Sequence, residues 1–271
     1  MLSGRSQSTL FNYSRKIAHI SLHLGCLPED VEDDRINEYL QGLVRQATTP
    51  SRSTFKHTVY GLRFYFRLIG QPKRSIDLPS IKRPNKLPVV LSREECRSLF
   101  KVPTLLKHRV LLSLIYATGV RISELCNLKI GDIDFDRSLV HIRQGKGSKD
   151  RYVPLSRLIA RGLKQYMESE KPYIWLFNGK DYGEPISTKG VQYIMRESVR
   201  KTAISKENVC VHTLRHSFAT HLLEDGLDIV TIQKLLGHAS IENTMVYLHV
   251  MEPAQKVPHS PFDTLYPGIK Q

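Results

Sequence analysis

Four side chains between residues 212 and 247 have types and spacings that could act together on a phosphodiester. His212 and Arg215 stand three apart in HTLRHSFATHLL, His238 closes LLGH, and Tyr247 follows nine residues later. A planar guanidinium forks onto two phosphate oxygens. Imidazoles donate to the same oxygens or move a proton. A phenol becomes a nucleophile once its proton is removed or its anion stabilised. Two plainer readings stay open on these residues alone. HxxR arises often by chance, and leucine-rich helices with a stray histidine are usually ordinary core. His212 and His216 also have the i,i+4 spacing of a metal pair, although the zinc-protease pattern needs Glu where Thr213 stands.

Three short helices must position these groups. The first starts near His212 and stops at Gly226, and the second runs from about Asp228 to Gly237. Ser240, a good N-cap, opens the third, which carries Tyr247. Leu214, Phe218, Leu222 and Leu223 form the apolar side of the first helix. His212 and Arg215 are then neighbours on another face.

HTLRHSFATHLL, LLGH and the spacing to Tyr247 together resemble the signature of the tyrosine recombinase (phage integrase and Xer-like) family. One position departs, Val211, where many members have Pro. TGVRISEL is similar to the family's first-arginine motif. On its own Arg121 could simply snorkel between Ile122 and Leu125. The resemblance implies instead that it is a second phosphate clamp. SLVHIRQ and RYVPL read as strands, and Gly145 and Gly147 between them permit a tight turn with Lys146 at its tip. A turn lysine is ordinarily solvated. GKGSKDRYVPL resembles the family's hairpin, which implies that Lys146 reaches the scissile phosphate and that Lys149 contacts the DNA backbone.

The resemblance implies a mainly α fold with a small antiparallel β-sheet. A helical core-binding domain and a mixed α/β catalytic domain would close around DNA as a clamp. It implies a catalytic set of Arg121, Lys146, His212, Arg215, His238 and the nucleophile Tyr247, in which His212 assists proton transfer from the phenol, with no metal or other cofactor. Strands would be cut and rejoined through a 3′-phosphotyrosine and a Holliday junction. The implied partners are double-stranded DNA with inverted-repeat core sites and a homotetramer on paired sites. A type IB topoisomerase, which reseals the same strand, and a catalytically silent DNA-binding protein are the alternatives. Core-binding helices that begin near Ser8 leave no arm-binding domain ahead of them, which favours a compact Xer-like or transposon-type enzyme over a lambda-like integrase.

Composition agrees with a nucleic-acid partner. The 271 residues carry a net charge of +14 and a pI near 9.7, with the excess divided evenly between residues 1–91 and 92–271. A solvated basic surface would give the same balance. Cys26, Cys96, Cys126 and Cys210 are isolated, which argues against a zinc knuckle or disulfide scaffold and fits a reducing cytoplasm. No apolar run approaches membrane-spanning length, and no signal-peptide core is visible, so a cytoplasmic protein without membrane contact is expected.

Taken in order, residues 1–88 read as the helical domain. Leu10, Tyr13, Ile17, Ile20 and Leu24 mark one helix closed by Gly25, and Ile36, Tyr39, Leu40, Leu43 and Val44 a second. Phe55, Val59, Leu62, Phe66 and Ile69 mark a third, ended by Gly70. Beside that last apolar stripe Arg52, Lys56, Arg63 and Arg67 form a basic one, suited to DNA phosphates or to solvent. From about residue 71 a proline-rich linker carries Lys73, Arg74, Lys82, Arg83 and Lys86, a charge pattern that would track a phosphate backbone.

The catalytic part, 89–271, opens with a capping box at Ser92 and Glu95. A buried helix then ends at Gly119. Residues 156–171 and 187–203 read as helices, with IWLF a short strand between them. Arg196, Arg200 and Lys201 form a further basic cluster. The tail 252–271 holds four prolines and is expected to stay extended and couple protomers through Phe262, Leu265 and Tyr266.

Overall fold

A computed structural model of the chain describes residues 4–45, 51–74, 76–79, 87–143, 150–181 and 183–250, and of Arg52 the backbone alone. Lys82, Arg83, Lys86, Lys146, Lys149, the Arg52 side chain and the whole tail 252–271 lie outside the described residues. The chain divides into two compact units, Met1–Asn85 and Lys86–Gln271.

In the first unit, α1 (Gln7–Leu24) is opened by the Ser6 hydroxyl, which accepts from the Thr9 amide. It is closed by Gly25 in the left-handed conformation at φ 74°. A short 3-10 turn, Pro28–Asp30, leads to α2 (Asp33–Arg45), and α3 (Arg52–Leu68) starts at the Ser51 cap. α1 packs along α3, where Gly61 lets Tyr13 approach so closely that a Cβ would meet it at 3.3 Å. Ile20, Ile36, Leu40, Phe55, Val59, Leu62 and Phe66 fill the core between the helices.

The start of the linker behaves differently from its sequence reading. Ile76 is buried in that same core. Arg74 turns inward, donating to the Asp33 carboxylate at 2.6 Å and to the Pro28 and Val31 carbonyls, with its guanidinium 4.1 Å above the Phe66 ring. Its charge therefore closes the helical unit rather than extending a basic track, because three oxygens and an aromatic face hold a planar cation better than solvent does.

The second unit opens with α4 (Arg93–Lys101), whose Ser92 and Glu95 form the capping box, and continues into α5 (Leu106–Thr118), stopped by Gly119 at φ 61°. The short helix α6 (Ile122–Cys126) has Arg121 at its N-cap position. β1 (Ile133–Asp134), β2 (Leu139–Ile142) and β3 (Arg151–Pro154) form an antiparallel sheet in that order, with Ile133 opposite Val140 and Val140 opposite Val153. Val140, Ile142 and Val153 point into the core. On the outer face His141 and Tyr152 stack at 4.6 Å.

The helices α7 (Arg157–Glu170) and α8 (Thr188–Arg200) follow, and IWLF between them is not a strand. Trp175 makes only an isolated bridge, to Lys129, and no ladder extends along the segment among the described residues, while the consecutive Leu176 and Phe177 both plug the core. In the Arg200–Lys201 region Arg200 pairs with Glu197, one turn earlier on α8.

The last elements are α9 (Val211–Glu224), α10 (Ile229–Leu236), α11 (Glu242–Met245) and a 3-10 turn, Val246–His249, that carries Tyr247. Ser240 does not cap this third helix. Ile241 occupies the cap position in helical geometry without a side-chain bond. α9 is buried on more sides than its apolar stripe suggested, since Thr213, Ser217 and Thr220 are also inside. Ser217 shows how that is tolerated. Its hydroxyl donates to the Thr213 carbonyl and accepts from the Leu91 amide, both at 2.8 Å. No helix among the described residues is long and apolar enough to cross a membrane.

Candidate active site

The site is built around helix C-termini. The last turns of α5 and α10 leave carbonyls without intrahelical partners, and such ends carry partial negative charge. Three guanidiniums meet three successive carbonyls at the end of α10. Arg151 donates to Leu235 at 2.9 Å, Arg215 to Leu236 at 2.7 Å, and Arg121 to Gly237 at 3.0 Å. Arg215 also donates to the carbonyl of Gly119, the cap of α5. This lets a guanidinium sit at 4 % exposure. Gly237 itself is left-handed at φ 61°, and a Cβ there would press on the Arg151 guanidinium at 3.0 Å.

One carboxylate serves two of these arginines. Glu124 accepts from Arg121 at 2.7 Å and from both terminal nitrogens of Arg151 at 3.0 and 2.7 Å. Burial alone would raise its pKa, but the guanidinium bonds and the Arg121 amide outweigh burial and hold it down at about 2. Three guanidiniums against one carboxylate leave net positive charge in a half-buried pocket. Burial, with Arg121 beside it, pulls the Arg215 guanidinium down to about 10, so it stays protonated at neutral pH. A phosphodiester is the kind of anion this surplus fits.

The remaining groups line up around that charge. His238 directs Nδ1 to the Thr244 hydroxyl at 2.8 Å, and no partner for its Nε2 occurs among the described residues. His212 lies on the exposed side of α9, at the edge of the pocket. Burial first and the arginine charges second lower both imidazoles, His238 to about 4. Tyr247 is 1 % exposed, packed among Ala219, Ile232 and Leu236. Desolvation raises its phenol above the usual 10, and Arg215 and Arg121 offset part of that. Its hydroxyl stands 3.0 Å from Nδ1 of His216.

The structure thus brings Arg121, His212, Arg215, His238 and Tyr247 together, while Lys146 is outside the described residues. On α3, the Arg63 guanidinium is engaged by the Ile76 carbonyl at 3.0 and 2.6 Å. Arg67 remains exposed and Lys56 half-buried. Sequence reasoning missed Glu124, Arg151 and Thr244, and it gave His216 only a metal-pair spacing. Glu124 alone left a local sign, its i,i+3 spacing from Arg121.

Comparison with known proteins places this arrangement among relatives. Residues 90–253 match the model of the phage integrase family. The chain is 40% identical over 205 residues to the tyrosine recombinase XerA of Thermococcus onnurineus, covering 74% of this chain and 72% of that protein. It is 36% identical over 264 residues to the putative integrase/recombinase y4qK of Sinorhizobium fredii, covering 96% and 84%. Among solved structures, the Tn1549 transposon integrase in complex with transposon right end DNA superimposes with a TM-score of 0.72. That match is 20% identical and covers 98% of this chain and 93% of the other.

Proposed function

Since the chain belongs to the phage integrase family of site-specific tyrosine recombinases, which cut and rejoin DNA, we propose that it does so through a covalent 3′-phosphotyrosine on Tyr247. The observation that carries this reading is the arginine cluster held on helix carbonyls beside a buried tyrosine. In the reading, a scissile phosphate occupies the surplus positive charge. Arg121 and Arg215 hold its non-bridging oxygens and stabilise the charge that grows during attack. His238, oriented by Thr244, donates to the same phosphate.

Tyr247 attacks phosphorus as the bond to the 5′-oxygen breaks. Lys146 supplies the proton to that leaving oxygen, and His212 assists at the phosphate edge. The phosphotyrosine conserves the bond energy, so the 5′-hydroxyl of another strand can reverse the step. Guanidiniums supply the charge neutralisation, which makes the reaction independent of a metal. Exchange between two duplexes passes through a Holliday junction and uses four active sites, so the working form on paired inverted-repeat sites is a tetramer. The division of labour is a helical DNA-binding domain over 1–88 and a catalytic domain over 89–271, in the cytoplasm.

The test is to trap the enzyme on a library of nicked duplexes and then supply recovered sites in pairs. Covalent adducts followed by exchanged strands are expected. Relaxation of supercoiled DNA with no exchange would make the enzyme a topoisomerase of the same chemistry.

A further inference from the structure

His216 occupies a position that the recombinase reading leaves without a role. It follows Arg215 on α9, so the helix turns it about 100° away from the carbonyls that Arg215 holds. That rotation aims it at the 3-10 turn of Tyr247. The phenol oxygen and Nδ1 are 3.0 Å apart, with the ring centroids 5.7 Å apart and tilted by 52°. No other hydrogen-bond partner of this hydroxyl occurs among the described residues. His212, one turn earlier, is exposed and has no hydrogen bond to the phenol among the described residues.

A phenol bonded to an imidazole in this geometry donates through O–H when Nδ1 carries the lone pair, which places the ring proton on Nε2. The surroundings keep the ring neutral. Burial first, then the neighbouring His212 and Arg215 charges, lower it to about 4. A neutral ring is the form that accepts a proton. An anion bound by Arg215 and Arg121 would cancel part of the charge that opposes protonation, so His216 becomes more basic when a phosphate is in place.

We infer that His216, rather than His212, takes the phenolic proton when Tyr247 attacks, an inference that rests on the recombinase reading. The bond from the Tyr247 oxygen to phosphorus forms as the bond from phosphorus to the 5′-oxygen breaks. The phenolic proton passes to Nδ1, and the leaving oxygen takes its own proton from Lys146. In the return step the 5′-hydroxyl attacks and passes its proton to Lys146, the imidazolium of His216 gives its proton back, and Tyr247 is regenerated as a phenol. His216 touches the reacting oxygen directly and is therefore a catalytic residue in this scheme.

The experiment measures covalent adduct formation on a nicked duplex by the full chain and by His216→Ala, His216→Asn, His212→Ala and Tyr247→Phe, with DNA affinity measured in parallel. His216→Ala is expected to slow adduct formation at least about a hundredfold, the usual contribution of a general base, at unchanged affinity. Added imidazole should restore much of the rate to His216→Ala. His216→Asn keeps an acceptor near the Nδ1 position but cannot take up a proton, so it should stay slow. His212→Ala should lose less than His216→Ala. Wild-type rates in both His216 variants would overturn the inference, as would a normal rate in His216→Asn alone, which would mean that the residue only positions the phenol. Should His216→Ala not fold, the nearly isosteric His216→Asn decides. An adduct formed by Tyr247→Phe would defeat the recombinase reading itself, a result separate from any of these.

Discussion

The Arg151 guanidinium donates through both terminal nitrogens to the Glu124 carboxylate, at 3.0 and 2.7 Å. Arg151 begins β3, and Glu124 lies on α6 three residues after Arg121, its N-cap. One carboxylate thereby ties the start of β3 to Arg121 at the N-terminus of α6. A planar fork matched to two oxygens is a geometry that lysine does not reproduce.

Glu124→Gln is expected to cost stability chiefly above the acid range. The folded carboxyl is held at about 2 against an ordinary 4.5. Its contribution is therefore complete above pH 4.5 and is lost as pH falls toward 2. The depression corresponds to roughly 3 kcal/mol at neutral pH. Chemical denaturation at pH 7 and at pH 3 should show a gap between wild type and variant that narrows in acid. An equal gap at both values would mean that the carboxylate carries no such role.

Arg121→Ala should slow DNA cleavage by on the order of a hundredfold or more, since it removes a preorganised charge from the transition state. Arg215→Ala should do the same and also lower the melting temperature, because Arg215 holds the carbonyls of Gly119 and Leu236 in the interior. Single-turnover rates at saturating enzyme separate chemistry from affinity. A rate deficit accounted for wholly by weaker binding would mean that these arginines only hold the DNA backbone.

How far the sequence could lead depended on distance along the chain. Ser92, Gly25, Gly119 and Gly237 marked helix ends correctly because capping is local chemistry within one turn. The link from Arg151 to Glu124 spans 27 residues, and that from His216 to Tyr247 spans 31, so neither leaves a spacing to read. β1 has two residues, too few for alternation to register. IWLF has the composition of a strand, yet beyond the isolated bridge of Trp175 no partner strand extends along it among the described residues. Arg74 read as a linker charge because its partners at residues 28 to 33 are more than forty positions away.

Lys146→Ala should be rescued by a substrate whose bridging 5′-oxygen is replaced by sulfur, since a thiolate leaves without a proton. Cleavage rates of the oxygen and sulfur substrates by wild type, Lys146→Ala and Lys149→Ala would be compared. Rescue confined to Lys149→Ala would exchange the two roles.

Replacing Lys56, Arg63 and Arg67 together should flatten the salt dependence of DNA binding by roughly 0.9 log unit of slope for each phosphate that is no longer neutralised. Arg63 should contribute least to that change, because its guanidinium already serves the Ile76 carbonyl. Single variants titrated over a range of salt would order the three. An unchanged slope in the triple variant would mean that this face of α3 meets solvent only.

The most direct measurement of the central claim is the identity of the residue that DNA is joined to. Wild-type protein reacted with a nicked duplex would be digested with protease and the DNA-linked peptide sequenced by mass spectrometry, alongside Tyr247→Phe. The account predicts one linkage, from Tyr247 to a 3′-phosphate with a free 5′-hydroxyl on the other end, and no adduct from the phenylalanine variant at normal DNA affinity. A linkage at another residue, a 5′-phosphate linkage, or an adduct that persists in Tyr247→Phe would contradict it.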